Sequence, residues 1–276
     1  MGNDNTKGSI SAESISVEND SEQMAVRRAR ALFAEGNAAF RKKGYDIAKE
    51  KYSAALGVLK NSCEGYGVGV NGVIPAGSSN AKPNATANRG GNDQDPPVLV
   101  ANALSNLGIL SFAEGRYNEA KALLGEALAL RRSLPGKTEV KNLSTLSTTL
   151  RKDFSCPQTT SSHNSLVARI ERHERIDSAT ADSLNNLAAI YELCGDYAQA
   201  MELYQESLSL RMVLYGHNSL KTAESLSNLG GALDNLGRLE EALPLMRTAV
   251  AVHENLLGHD SAETSLLLNN LGVLLC

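Results

Sequence analysis

The stretch that decides the fold is Ala181–Thr264, because it contains the same 42-residue pattern twice. The first copy, residues 181–222, is ADSLNNLAAIYELCGDYAQAMELYQESLSLRMVLYGHNSLKT, and the second, residues 223–264, is AESLSNLGGALDNLGRLEEALPLMRTAVAVHENLLGHDSAET. A third copy opens with SLLLNNLGVLLC at residues 265–276. Self-similarity at a fixed period of this length is typical of proteins built from stacked helical repeats.

Each copy contains two apolar stripes at helical spacing. In the first copy, one stripe follows the i, i+3, i+4, i+7 pattern of a half-buried helix, and Gly195 marks the turn that ends it. A second stripe follows this turn, with a small residue where two helix backbones would approach closely. The first stripe is Leu184, Leu187, Ala188 and Tyr191, and the second is Tyr197, Ala200, Tyr204 and Leu208. A single helix pair cannot bury both stripes, so neighbouring pairs must stack to complete a core.

This pattern resembles the tetratricopeptide repeat, a helix–turn–helix unit of 34 residues. The 42-residue period, the doubled Asn185-Asn186 and the linkers LYGHNS and LLGHDS are similar to the longer repeats of kinesin light chains. The resemblance implies an all-α solenoid of antiparallel helix pairs, whose first helices line a concave groove. The matching positions are Leu187, Ala188, Tyr191, Gly195, Tyr197, Ala200, Tyr204 and Ser207.

The pattern predicts four repeats, a truncated fifth repeat and two loop insertions. A polar, acidic tail at the N-terminus is expected to be disordered, because it has too little apolar surface to bury. One insertion is rich in Gly, Asn and Pro, and the other is rich in Ser and Thr and includes a short helical pattern at residues 166–175. The predicted segments are the tail at 1–22, repeat one at 23–60, the first insertion at 61–97, repeat two at 98–136, the second insertion at 137–175, and repeats three, four and partial five at 176–276.

Local signals mark the ends of the repeats. Asp177, Ser219 and Ser261 recur 42 residues apart, and each precedes a first helix whose free N–H groups it can cap. Pro244 lies about one turn into the second helix of repeat four, where it should cause a kink or remove a hydrogen bond.

The last helical pattern has an apolar stripe but no partner helix in the sequence. Leu268, Leu271 and Leu275 occupy the inner stripe of a fifth first helix. Exposing three leucines forfeits on the order of 5 kcal/mol of burial. We therefore expect either that the sequence is part of a longer protein or that a second chain covers this face.

Composition and charge argue against several classes of function. The net charge of −4 shows no basic excess, so nucleic acid is not an expected partner. No apolar run approaches the roughly 20 residues that span a bilayer, and the N-terminus lacks the layout of a secretory signal. The scattered cysteines indicate reduced thiols in a cytoplasmic protein and no metal site; they are Cys63, Cys156, Cys194 and Cys276.

The N-terminus also matches a lipidation pattern. Gly2, in MGNDNT, fits the signal for N-myristoylation after removal of Met1. Because no polybasic run or nearby Cys supplies a second anchor, a myristoylated chain is expected to make only weak, reversible membrane contact.

Two motif matches lack the neighbouring residues or structural elements that their functions require. Residues 67–72 formally fit GxGxxG, but no strand precedes them and no helix follows, so a dinucleotide site and a cofactor are not predicted. Asn37 stands where co-chaperones that grip a C-terminal carboxylate place an Asn, but Phe33 replaces the expected lysine. With no nucleophile–base pair in view, the chain is predicted not to be an enzyme.

The first helices offer a row of amides for binding. Asn106, Asn186, Asn228 and Asn270 hold the same register in four repeats, one residue before the Leu187 position. Resemblance to kinesin light chains implies that such amides contact the backbone of an extended peptide, which suits a group that both donates and accepts. Nearby groove candidates are Asn102, Ser105, Asp182, Asn185, Glu192, Glu224, Ser227 and Asp234, whose acidic bias favours a basic peptide.

The sequence thus predicts a scaffold that binds a protein or peptide partner. One alternative is self-assembly through the open face of the last helix. A second alternative is a co-chaperone type of repeat module.

Overall fold

A computed structural model describes residues 12–62, 95–134 and 177–275. These residues form α-helices joined by turns and include no strand, which confirms the predicted all-α class. The helices are α1 (Ala12–Arg41), α2 (Tyr45–Ser62), α3 (Pro96–Ala113), α4 (Tyr117–Ser133), α5 (Ser178–Leu193), α6 (Tyr197–Tyr215), α7 (Leu220–Asn235), α8 (Leu239–Leu257) and α9 (Ala262–Leu274).

The chain divides into two compact units, and the boundary falls inside α3 between Ala103 and Leu104. In the first unit α1 packs against α2 around Tyr52, which is fully buried. Gly36 makes this packing possible, because a Cβ there would lie 2.7 Å from the Tyr52 ring. The Tyr52 hydroxyl donates to Asn37 Oδ1 at 2.7 Å, so α1 and α2 form the helix pair predicted for repeat one.

The start of α1 lies within the segment 1–22 that the sequence assigned to the N-terminal tail. The backbone is helical from Ala12. Residues 12–22 contain no Gly or Pro, so nothing in their backbone stops α1 from propagating toward the N-terminus once the helix has formed. α2 continues to Ser62, and α3 begins at Pro96, a residue suited to the first helical position.

The second unit shows the 42-residue period in its helices. α5 and α7 are each 16 residues long and begin 42 residues apart, and α6 and α8 are each 19 residues long with the same offset. Within this unit α4 packs on α5, and each later helix packs on the one before it. This succession of antiparallel pairs is the predicted solenoid pattern.

Small residues bring the paired helices together. Ala188 and Ala200 are fully buried between α5 and α6. At the corresponding place between α3 and α4, a Cβ on Gly108 would lie 2.8 Å from Leu124 Cγ. Because the helix backbones approach closely at these small residues, the surrounding side chains are tightly packed. A larger residue at any of these positions would therefore clash with its neighbours.

The junctions between repeats are closed by side-chain caps, as predicted. Asp177, Ser219 and Ser261 each accept a hydrogen bond from the backbone N–H three residues later. At the two later junctions a threonine hydroxyl also binds the preceding linker: Thr222 Oγ1 donates to Gly216 O at 2.7 Å, and Thr264 Oγ1 donates to Gly258 O at 2.9 Å.

Pro244 lies within α8, which continues through it to Leu257, so the helix does not end at this proline.

Of the described helices, α3 is the one long and apolar enough to cross a membrane by length and composition, and more than half of it is buried in the protein. The insertion residues 63–94 and 135–176, together with Gly2, lie outside the described residues.

In α9 the predicted inner stripe is incompletely covered. Leu268 and Leu271 are half-buried against the core cluster of α6–α8, whereas the matching Leu226 and Leu229 of α7 are buried. Leu275 is 57% exposed.

Candidate functional site

The four predicted amides share a face of the second unit. Asn106, Asn186, Asn228 and Asn270 lie on α3, α5, α7 and α9, and each is half-buried. We call this stripe of the four first helices the amide face. α3 and α5 meet where Ser105 and Ser183 hydroxyls approach to 3.3 Å, so these two first helices are direct neighbours.

The four amides differ in the hydrogen bonds that they make within the protein. Asn228 Nδ2 donates to Asn185 Oδ1 at 2.9 Å, which joins α7 to α5. Asn228 keeps one N–H and its carbonyl oxygen for a ligand. Asn186 and Asn270 make no hydrogen bond to a described side chain, whereas Asn106 has a partner within the protein.

The floor of the amide face is shallow in its centre. Three residues after each Asn, the four helices carry Ile109, Ala189, Gly231 and Val273. The two central positions therefore have almost no side chain. A Cβ on Gly231 would meet only Glu192 Oε1, at 3.9 Å, so there is open space above this residue.

The acidic candidates Asp182 and Glu224 are already paired with cations. Arg211 Nη2 donates to Asp182 Oδ1 at 2.8 Å, and Arg211 Nη1 lies 3.4 Å from Glu224 Oε2. Lys221 Nζ lies 3.9 Å from Asp182 and 3.8 Å from Glu224. Two cations thus balance two carboxylates, and this part of the face carries little net charge.

Arg211 is a residue that sequence reasoning missed. Its side chain is only 2% exposed, and Nη1 also donates to Lys221 O at 3.1 Å and Ser225 Oγ at 3.0 Å. Arg131 holds the same register in the preceding repeat and donates to Ser183 Oγ at 3.2 Å. The recurrence of Arg at this register of the second helices was the available signal, but an arginine near a helix end usually indicates a solvated face.

Glu192 is a carboxylate on this face that has no described cation partner. Its Oε2 accepts from the Tyr204 hydroxyl at 2.9 Å, and its Oε1 accepts from Asn235 Nδ2 at 3.1 Å. Burial, with the nearby Glu192 charge, raises the pKa of the Tyr204 hydroxyl, so Tyr204 stays a donor to the carboxylate. Lys121 Nζ lies 3.8 Å over the ring of neighbouring Tyr191 and does not reach the Glu192 carboxylate.

The remaining candidates lie apart from this face or have other roles. Asn102 is half-buried and belongs to the first unit. Asn37 in the first unit accepts the Tyr52 hydroxyl, so its carbonyl oxygen is engaged within the helix pair. Cys194 is a free, exposed thiol in the turn after α5. Within residues 12–62, 95–134 and 177–275, no three His, Cys, Asp or Glu residues form a group able to hold a metal ion.

These observations define a class: a helical-repeat scaffold whose first helices present a row of amides. Comparison with protein families matches the tetratricopeptide repeat over residues 179–242 and, with a second family of the same description, over residues 100–136 and 222–263. These parts of the chain contain tetratricopeptide repeats, which confirms the prediction from the repeat pattern. Tetratricopeptide repeats form scaffolds for interactions between proteins, so the coarse function is that of an interaction scaffold.

One comparison with a solved structure supports the fold. The chain is similar to BtubC (BKLC) from P. vanneervenii, with 18% identity and a TM-score of 0.55 over 95% of this chain and 82% of that chain. It is also similar to MamA, with 16% identity and a TM-score of 0.31 over 85% of this chain and 97% of that chain. A search of curated proteins finds no significant match.

Proposed function

We propose that the amide face binds an extended segment of a partner protein, in the way that resemblance to kinesin light chains implies. The observation that carries the proposal is the recurrence of half-exposed Asn at one register, in Asn106, Asn186, Asn228 and Asn270. An extended backbone presents N–H and C=O groups at a regular interval. Primary amides can pair with both kinds of group, so the partner is held by its backbone.

The shallow centre of the face suits this mode of binding. Ala189 and Gly231 leave the backbones of α5 and α7 without bulky neighbours, so an extended chain can approach Asn186 and Asn228 closely. The half-exposed amides beside this channel then supply donors and acceptors. This arrangement requires no particular side chain in the partner at those points.

The proposed partner is a peptide with basic side chains. Asp182 and Glu224 were the expected determinants, but Arg211 and Lys221 already compensate them. Glu192 remains without a described cation, and Asp234 on α7 likewise has no described ion pair. The uncompensated negative charge of the face therefore lies toward the C-terminal ends of α5 and α7.

The test uses peptides selected by the protein itself. A displayed random library of about 12-residue peptides is long enough, since four first helices about 10 Å apart cover roughly 30 Å. Peptides selected by the wild type should bind Asn186→Ala about fivefold more weakly for each backbone hydrogen bond lost, because such a bond contributes about 1 kcal/mol. Titration calorimetry or fluorescence anisotropy measures the change.

The choice of variant keeps binding separate from stability. Asn186 makes no hydrogen bond to a described side chain, whereas Asn228→Ala would also strand the buried Asn185 oxygen. Asn255→Ala is the matched control, because Asn255 is an exposed amide on the second helix α8. Equal affinities for wild type and Asn186→Ala, with normal helicity, would contradict the proposed binding mode.

Self-association through α9 is a second candidate, and one observation favours it. Leu266 and Val273 are 62% and 65% exposed, and Leu275 is 57% exposed. A contact that buries these three side chains would contribute on the order of 3–6 kcal/mol before association costs. Light scattering at rising protein concentration tests it: a dimer that Leu275→Glu disrupts supports self-association, and a monomer throughout rules it out.

A further inference from the structure

We infer that Glu192 is the residue of the amide face that binds the charged end of a lysine or arginine of the peptide. The inference rests on the proposed function, because it assigns a subsite within the same face. It selects one carboxylate from the several acidic residues that the sequence places there. The argument depends on how Glu192 is held, what lies in front of it, and what its acidic neighbours already bind.

The first step is the orientation of the carboxylate. Each oxygen accepts one hydrogen bond from a neutral donor, Oε2 from Tyr204 and Oε1 from Asn235. Carboxylate oxygens have about four acceptor positions in all, so roughly two remain for a ligand. The donors hold the group in place without cancelling its charge, which keeps it available to a cation.

The second step is access. Gly231 lies directly in front of Glu192 Oε1, and a side chain there would begin 3.9 Å from that oxygen. The other central position, Ala189, is also small. A long, thin side chain such as that of lysine can therefore enter over Gly231 and place its nitrogen against the carboxylate, while its own backbone remains beside the amides.

The third step is selectivity within the face. Asp182 and Glu224 are already compensated by Arg211 and Lys221, so a ligand cation there would meet positive charge as well as negative charge. Lys121 lies over the ring of the neighbouring Tyr191 and forms no described ion pair with Glu192. Asp234 is also uncompensated, but Glu192 is the residue that borders the open space over Gly231, so charge and access together point to Glu192 as the cation subsite.

The partner chemistry follows from these steps. The ligand is an extended peptide segment that carries one Lys or Arg where it crosses between α5 and α7. A charge-assisted hydrogen bond to a partly buried carboxylate should contribute about five- to tenfold in affinity, and its share should fall at high salt.

The experiment compares the residues that peptides share after selection. The random peptide library is selected in parallel against wild type, Glu192→Gln, Gly231→Leu and the control Asp182→Asn. Wild type and Asp182→Asn should enrich Lys or Arg at one position. Glu192→Gln should lose that enrichment while it still selects peptides, because Gln keeps an acceptor oxygen and removes the charge.

The second variant tests access with the charge intact. Gly231→Leu fills the open space in front of Glu192, so it should lose the same enrichment with no fall in its unfolding midpoint. For one selected peptide, replacing its Lys by Gln should weaken binding to wild type about five- to tenfold and leave binding to Glu192→Gln unchanged.

The outcomes separate the subsite from the proposed function. If selected peptides depend on Asn186 but show no basic enrichment, or keep it in Glu192→Gln, the subsite assignment is wrong and the peptide-binding face stands. If Asp182→Asn loses the enrichment in place of Glu192→Gln, the cation binds elsewhere on the face and the inference fails. If wild type selects no peptide, or selects peptides insensitive to Asn186→Ala, the proposed function fails and the subsite fails with it.

Discussion

Removing the two carboxylates that pair with Arg211 should lower the free energy of unfolding more than replacing Arg211 itself. Its side chain is 2% exposed, whereas those of Asp182 and Glu224 are 46% and 45% exposed. If the two carboxylates are neutralised by Asp182→Asn and Glu224→Gln, the guanidinium stays buried without a counterion. If instead Arg211→Met replaces the cation, the carboxylates can be rehydrated where they stand.

The structure gives the size of the difference. In the double variant the guanidinium retains only neutral acceptors, among them Lys221 O and Ser225 Oγ. Leaving a buried charge without its partner costs about 3–5 kcal/mol. Arg211→Met fills a similar volume with an apolar chain and removes a donor only from the Ser225 hydroxyl and the Lys221 carbonyl, so its cost should be about 1–2 kcal/mol.

Urea unfolding followed by helical circular dichroism measures these free energies. The double variant should be less stable than Arg211→Met, and adding Arg211→Met to the double variant should restore part of the lost stability. If Arg211→Met is the more damaging change, or if the triple variant is less stable than the double, then Arg211 stabilises the fold by its packing and the charge argument is refuted.

Four further substitutions test the packing, the caps and a titrating group. Gly108→Ala should lower the free energy of unfolding by about 1–2 kcal/mol, because the added Cβ meets Leu124. Gly231→Ala faces open space and should raise the free energy of unfolding by about 0.5–1 kcal/mol. Urea unfolding compares the two variants. Ser219→Ala removes the cap of α7 and should cost about 1 kcal/mol by the same measurement. Because the folded state raises the pKa of Tyr204, its hydroxyl contributes stability below about pH 10 that is lost as the pH rises further, and Tyr204→Phe should make the unfolding midpoint less sensitive to pH between about 9 and 11.

Much of the fold follows from local regularities that a sequence displays. The apolar stripes, the small residue at Ala200 and the caps at Ser219 and Ser261 each act within a few residues of their position, so they can be recognised from spacing alone. The helical backbone that begins at Ala12 depends on an effect of longer range. Low apolar content predicts disorder, but an adjoining stable helix can propagate into such a segment.

The charges of the face could be predicted only in part. The register of Asn186, Asp182 and Glu224 follows from helical spacing, and the structure places all three on the first helices. Their partners do not follow, because the contact between Arg211 and Asp182 joins residues 29 positions apart and depends on how α6 packs against α5 and α7. The same holds for Asn228 and Asn185, whose bond crosses between repeats.

The serine and threonine hydrogen bonds at the junctions between repeats limit how the second unit could adjust to the proposed peptide. Thr222 and Thr264 tie their helix starts to the linkers before them, while Ser219 and Ser261 hold the same turns from the other side. Pivoting one repeat on the next would break these bonds together, so the pitch from repeat to repeat is set before anything binds. The peptide proposed as the partner must therefore match a fixed interval between anchoring groups, and inserting one residue between two anchors should weaken its binding as much as a wrong side chain.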